Sequence, residues 1–566
     1  MYALVKNWLL LFCALICAGS VFSQNSSVSL KQDISNTEPL WRQALGGIVL
    51  SMPSVQAQSV VVALDGGNIK AYSVSGMPIW NYSARGRISP YVTRSPEGTS
   101  YFSRTNGVLI AVNRSGSELW RRNTDSPLSA KVIIGWDGRL FAPAGKTIFC
   151  YTASGNLLWT RTFETAISLA PCMAHGGGII FALENNEVYR IDPFGNSYIW
   201  TLSKKPSVLV SVDQYRTMTF YPDGSMEIIG AAEDWYMSSQ NEIQFALLPK
   251  FPAGALAAAY RNGNIAAILN DGRISFVSLN ERKILWEGDS HIRESLKKGG
   301  KPETEAEIIF NERGIYVLSR NGATGFSHDG RRLWLINLQD SASIPAIDEN
   351  GLLYSGGKDW ILYAYKIEDR PPPAKNNFYG TFPEGSYKMG SPQAIYMPPL
   401  PLSEYEIKRT LDQITSAVKI GRVGPNESAW TTFLLTVSAN QEHIQYRTAA
   451  LRLLGQIGSR DTIPWLVNIF NRDNETIIKA AAAAAIGAVG IDPDGIAIQA
   501  FLHSITQNSI KDEQVLSAIT SATGSLCRFS GPPLSQTGIK ILNLLCENNQ
   551  PSAIRKQALK ELSSLR

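Results

Sequence analysis

The sequence predicts a multidomain protein: an all-β eight-bladed propeller followed by an all-α helical-repeat domain. Three observations carry that expectation. An apolar residue followed by tryptophan recurs as Leu40-Trp41, Ile79-Trp80, Leu119-Trp120, Leu158-Trp159, Ile199-Trp200, Leu285-Trp286 and Leu333-Trp334. The first intervals are 39, 40, 39 and 41 residues, and a fixed period near 40 marks one supersecondary unit copied and stacked. Turn-forming pairs announce a further strand eight times, and beyond Ser403 the apolar period changes from 2 to 3.6.

Each early unit places three short apolar strands ahead of its tryptophan strand. In the second unit these are Ser89 to Thr93, Thr99 to Arg104 and Val108 to Asn113, followed by Glu118 to Asn123. Glu97-Gly98, Asn106-Gly107 and Ser115-Gly116 punctuate them. The run-up Gly, two residues, apolar, Trp spans Gly76 to Trp80, Gly116 to Trp120, Gly155 to Trp159 and Gly330 to Trp334; Gly195 to Trp200 has one residue more. Glycine supplies the positive φ of a tight turn. Large aromatics at this period are expected to pack between repeats and not to bind a ligand.

The turns before the third strands are Asp65-Gly66, Asn106-Gly107, Gly145-Lys146, Asn185-Asn186, Asp223-Gly224, Asp271-Gly272, Asn321-Gly322 and Lys358-Asp359. Eight tryptophan strands are needed to match, and Asp234-Trp235-Tyr236 is read as the eighth. The first, Leu40 to Leu45, has no strands ahead of it; the last unit, ending at Tyr365, has no tryptophan strand behind it. An orphan at each end predicts a ring closed by pairing the first strand into the last blade, which removes exposed sheet edges.

From Glu368 to Leu402 prolines cluster (Pro371-Pro372-Pro373, Pro383, Pro392, Pro398-Pro399, Pro401), giving a semi-extended linker over 370–402. Past it, Ile407, Leu411, Ile414 and Val418 share a helix face. The segment Ala449 to Gly458 recurs 32 residues later as Ala481 to Gly490, with fainter copies near Ala518 to Gly524 and Ala553 to Leu562. Small residues let paired helices approach, and the terminal glycines are expected to end each helix. Ala480 to Ala485 reads as a tightly packed inner helix, since alanine is the best helix former. The two modules are expected to fold separately.

The propeller units resemble the repeats of pyrroloquinoline-quinone-type propellers, whose consensus closes with Thr/Ser-Gly and then Leu-Trp; Ser75-Gly76, Ser115-Gly116 and Ser154-Gly155 carry the match, over roughly residues 39–369. The second module, 403–566, is similar to a HEAT-type α-solenoid. The resemblance implies fold more than function: such propellers serve both quinoprotein dehydrogenases and the non-enzymatic propeller subunit of the outer-membrane protein assembly machine.

The N-terminus reads as a signal peptide over residues 1–23. Lys6 precedes an apolar run from Trp8 to Ala18, too short to span a bilayer, and Val21-Phe22-Ser23 suits cleavage after Ser23. A polar spacer, 24–38, follows. Lipid attachment at Cys13 or Cys17 is disfavoured by Phe12 and Ile16, where that chemistry prefers small residues. Export places Cys150, Cys172, Cys527 and Cys546 in an oxidising space. A Cys527–Cys546 disulfide and two inert buried thiols remain alternatives. Net charge is +5 without basic blocks, so nothing points to nucleic acid.

Chemistry is sparse. His175, His291, His328, His443 and His503 have no paired spacing, and each is expected to be surface or structural. Gly176-Gly177-Gly178 precedes a strand and suits a hairpin, not a phosphate cradle. The quinoprotein resemblance would imply a catalytic Asp, calcium ligands and often adjacent cysteines, and no motif maps these onto numbered residues here. No catalytic, cofactor-binding or metal residue is assigned, and no cofactor is expected. Two connections are longer than the rest, Ala231 to Ala253 and the charge-dense Glu287 to Glu305; a solvated loop is the first reading, and a partner-contacting rim is the functional alternative.

The expectation is a non-enzymatic exported scaffold of the bacterial periplasm or cell envelope. Its partners are other envelope proteins, bound through the propeller face and the solenoid groove, with no transmembrane segment in the mature chain. The alternatives are a quinoprotein-like oxidoreductase using pyrroloquinoline quinone and a glycan-binding propeller, the latter marked by aromatic residues exposed on one face.

Overall fold

Eight antiparallel sheets stand in a ring in the computed structural model, which describes residues 38–367 and 403–565 apart from 57, 136, 175–176, 213–215, 231–248, 339, 349, 440–442, 493, 508 and 532. Seven sheets are four-stranded and the fifth has three described strands; Asp234-Trp235-Tyr236, read as its tryptophan strand, lies outside the described residues. Within a blade the strands follow chain order from the axis outward, as in Ile88–Arg94, Ser100–Arg104, Val108–Val112 and Glu118–Asn123 of the second blade. Continuous apolar runs make the second strands, such as Ile179–Leu183, buried throughout. The outer strands alternate, as Pro78–Ser83 does, because only one face meets a neighbour.

The ring closes as the two orphans require. Trp41–Ala44 pairs antiparallel with Ile361–Lys366, setting Trp41 opposite Ala364 and Ala44 opposite Ile361. The eighth blade is therefore built from both ends of the propeller, in the order tryptophan strand, third, second and inner strand.

Five of the tryptophans latch their blade to the next. The indole N–H of Trp41 donates to Val74 O (3.0 Å), Trp80 to Arg114 O (2.7 Å), Trp120 to Ala153 O (2.9 Å), Trp159 to Pro193 O (3.2 Å) and Trp286 to His328 O (2.8 Å). Two residues beyond each acceptor stands the turn glycine: Gly76, Gly116, Gly155, Gly195 or Gly330, with φ between +82° and +89°. A methyl on Gly116 would meet Trp80 Cβ and Cγ at 2.8 Å. The glycine thus serves twice, taking a left-handed φ and leaving the hollow into which the neighbouring indole packs.

The charged stretch from Glu287 to Glu305 is not a plain loop. Its first residues complete the strand Lys283–Asp289, and α1 (His291–Lys297) follows. The Ser290 hydroxyl caps it by accepting from Ile292 N–H, and Ile292 and Leu296 pack into the core between the sixth and seventh blades. His291 is buried, with Nδ1 2.8 Å from Thr324 Oγ1 and Nε2 2.8 Å from Ser319 Oγ, a structural role.

Nine helices follow among the described residues: α2 (Glu404–Ile420), α3 (Glu427–Ala439), α4 (Ile444–Ile457), α5 (Ile463–Arg472), α6 (Thr476–Val489), α7 (Ile496–Thr506), α8 (Glu513–Phe529), α9 (Leu534–Leu545) and α10 (Ser552–Leu565). The four sequence copies fall on α4, α6, α8 and α10, which stack in that order. Gly455 of α4 faces Ala485 and Ala488 of α6, and Gly487 of α6 faces Ala522 of α8. Gly490 ends α6 in the left-handed region as expected, but Gly458 ends α4 with extended φ −62°, ψ 155°. All four described cysteines are free thiols; Cys527 Sγ faces Ser535 O (3.7 Å) across α8 and α9. No helix among the described residues is long and apolar enough to cross a membrane.

The two modules are not merely tethered. One continuous core runs from Phe141, Ile148, Leu158 and Trp159 of the third blade into Ile407, Leu411, Ile414 and Val423 and on through α4 to α10. The sequence periodicities, which stop at each module's edge, could not show this shared burial.

Candidate functional site

The ring has an axis, two faces and an outer edge. The inner strands line the axis, and Lys131 of the third blade reaches Glu307 of the seventh, Nζ to Oε1 at 3.1 Å. Three blades lie between them on either side, so the pair bridges diametrically opposite walls. A pyrroloquinoline ring on the axis at this level would have to displace both side chains, and no cluster of three or more His, Cys, Asp or Glu converges to hold a cation among the described residues. The residues present do not fit a quinone with its calcium ion at this level.

One face is partly occupied. The solenoid lies on turns of the second to fourth blades: Gly531 sits by Glu97, Arg114 donates to Ser535 Oγ (2.6 Å), Ile491 stands against Gly138, and Gly424 approaches Phe194 O. At the edge of the third blade, Arg422 forms a β-bridge with Trp159, and Val423 N–H donates to Leu158 O (3.0 Å). Leu158 is consequently 1% exposed, whereas Ile79 and Ile199, its counterparts on other outer strands, are 50% and 52% exposed.

At the centre of this joint Arg139 ties the modules. Its guanidinium pairs with Glu427 at the start of α3, faces Asp137 Oδ2 at 3.2 Å, and donates to Pro193 O at 3.0 Å. All three charged side chains are buried. Burial, with repulsion from Asp137 and Asp192, pushes the Glu427 carboxyl up to about 7 against the pull of Arg139.

The solenoid's inner helices line a groove of about 830 Å³. Its floor is Ala480, Ala484, Ala518 and Ser521, with Arg452 and Gln557 on opposite walls. Short side chains let a bound backbone come close, while the Gln557 amide is engaged with Ser517 and Ser521.

Sequence reasoning assigned no catalytic, cofactor or metal residue, and Arg139, Glu427, Lys131 and Glu307 were all missed. Of the two long connections, 231–248 falls outside the described residues. The other carries α1 on the face opposite the solenoid. His175 and Gly176 also lie outside the described residues. Trp360 is the exposed aromatic side chain of the described propeller residues.

Fold and site together define a closed eight-bladed propeller, bridged across its axis and carrying a docked α-solenoid on one face. The comparisons agree in kind. Residues 104–226 match the family model described as outer membrane protein assembly factor BamB, and residues 431–522 match HEAT repeats. The outer membrane protein assembly factor BamB of Shewanella oneidensis is 22% identical over 186 residues, 29% of this chain. The match spans 46% of that relative's length. Among solved structures, BamB from Moraxella catarrhalis has a TM-score of 0.42 at 14% identity, covering 59% of this chain and 98% of its own. The C-terminal WD40 domain of Sif2 has a TM-score of 0.45 at 9% identity, covering 59% and 99%.

Proposed function

We propose that the chain is a non-enzymatic scaffold subunit, exported to the periplasm or cell envelope with cleavage after Ser23, that holds partner proteins in an outer-membrane or envelope assembly complex. The observation that carries this reading is the match of residues 104–226 to an outer membrane protein assembly factor. The bridged axis and the rigid, latched ring support a binding role over a catalytic one. Partners would be held on the propeller face left free by the solenoid and in the solenoid groove, since long loops and concave repeat surfaces on rigid scaffolds are where binding sits.

The test has two arms. Cells lacking the chain should show reduced β-barrel protein in the outer membrane by quantitative proteomics; an unchanged content would sink the assembly assignment. Purified chain incubated with pyrroloquinoline quinone and calcium should retain neither after gel filtration. Stoichiometric retention with dye-linked alcohol or sugar oxidation would replace this reading with the quinoprotein one.

A further inference from the structure

The joint between the modules holds more acid than base. Glu427 is 1% exposed; its Oε1 pairs with Arg139, and its Oε2 has no hydrogen-bond partner. Arg139 is shared with Asp137, so one guanidinium serves two buried carboxylates. Asp192 approaches from the fourth blade, where it accepts from the N–H groups of Phe194 (2.9 Å) and Asn196 (2.8 Å). Asp461 approaches from the turn after α4, with Arg460 beside it held by Asp494 at 3.0 Å. The remaining titratable group against Arg139 is the buried Cys150 thiol. Next to Ile491, which packs on Gly138, Asp492 is buried with Oδ1 unpartnered.

We propose that the propeller–solenoid joint is a proton-sensitive latch, tightest with Glu427 protonated and loosened by its ionisation, so that rising pH makes local opening of the joint more frequent while the shared core stays packed. A protonated Glu427 leaves Arg139 to neutralise Asp137 alone, and the buried charge then balances. An ionised Glu427 leaves a surplus negative charge, with Asp192 and Asp461 nearby to repel it. Burial also raises Asp461, which faces Asp137 and Arg139, and Glu97, which faces Arg460, so both shifted acids across the joint act in the same direction. The sign follows. A carboxyl raised on docking supports the docked state fully below its free value, and that support is lost as pH rises through about 7.

Hydrogen exchange on the full chain reads this directly, because the Val423 amide donates across the joint to Leu158 O. With intrinsic rates corrected, its protection should fall about tenfold between roughly pH 6 and 8.5, the change expected for a carboxyl moved to about 7. The Val62 amide, in a buried second strand, serves as control and should not change. Glu427→Gln should flatten the Val423 response, and Asp137→Asn should move its midpoint to lower pH while preserving it. Should Glu427→Gln fail to fold, the wild-type and Asp137→Asn titrations decide alone. Equal Val423 protection at both pH values, a fall that persists unchanged in Glu427→Gln, or a matching fall at Val62 would overturn the latch.

Discussion

Propeller and solenoid both join their repeats at glycine, yet for different reasons. In the propeller the hollow of Gly116 or Gly155 receives an entire indole, and the same residue turns the chain with φ +87° or +82°. In the solenoid Gly455 and Gly487 sit inside helices with ordinary φ, and what approaches is the backbone and Cβ of an alanine. One junction is a large knob in a hole with a fixed hydrogen bond; the other is a close seam between two smooth cylinders. The first specifies register, while the second mainly sets distance. A second difference is closure: the ring needs both of its ends, whereas the helical stack can lose one.

The largest effect should come from closure. Deleting Leu40 to Leu45 removes the strand paired with Ile361–Lys366 and the indole seated on Gly76. It opens a sheet edge and removes the buried Leu45 with the half-buried Trp41, a loss of roughly 3–5 kcal/mol. Deleting α10 should shorten the stack but leave the propeller's melting transition in place, because a solenoid repeat contacts only its neighbours. Thermal unfolding with a soluble-fraction assay compares the two. A strand deletion that melts like the parent would show that closure does not hold the ring.

Next come the glycines themselves. Gly116→Ala places an L-residue at positive φ, about 1–2 kcal/mol, and overpacks the Trp80 site, about 1–3 kcal/mol more. Gly487→Ala overpacks a seam where Ala522 Cα would lie 2.7 Å away, but it gains about 1 kcal/mol of helix propensity. The propeller change should therefore lower stability by roughly 2–5 kcal/mol and the solenoid change by about 0–2. Denaturant titration ranks them, and a reversed order would mean that the helical seam is the less forgiving junction.

This contrast also explains what the sequence revealed. Blade number, ring closure and the 32-residue helical repeat were legible because each unit is a local antiparallel meander or helix pair, written out in period and turn residues. The joint was not legible. Arg139 and Glu427 lie 288 positions apart, and neither sits in a pattern that names the other. Gly421, with φ +63°, ends α2, and only the fold reveals that Leu157 fills its hollow. Helix α1 could have been found: Ser290 before His291, with Ile292 and Leu296 four apart, is a capped helical turn hidden by surrounding charge. The axial pair gave no signal at all, since Lys131 and Glu307 meet only because the closed eight-bladed ring sets their walls opposite one another.

That pair supplies the smallest expected effect and the sharpest check on where the ring's strength resides. Lys131 and Glu307 have side chains 35% and 39% exposed, so water screens their attraction and each can be rehydrated when the other is lost. Lys131→Met keeps the side-chain stem beside Met52, whose sulfur lies 4.0 Å from Lys131 Nζ, and leaves Glu307 able to meet solvent. The cost should be about 0–1 kcal/mol, below the glycine change in the propeller. High salt should reduce it further, because a partly exposed pair is weakened by screening while the tryptophan latches are not. Denaturant titration at low and high salt measures both quantities. A loss above about 2 kcal/mol, insensitive to salt, would place this pair among desolvated ion pairs. The ring would then be held from its axis as well as from its blade junctions, and the contrast with the solenoid would no longer rest on glycine alone.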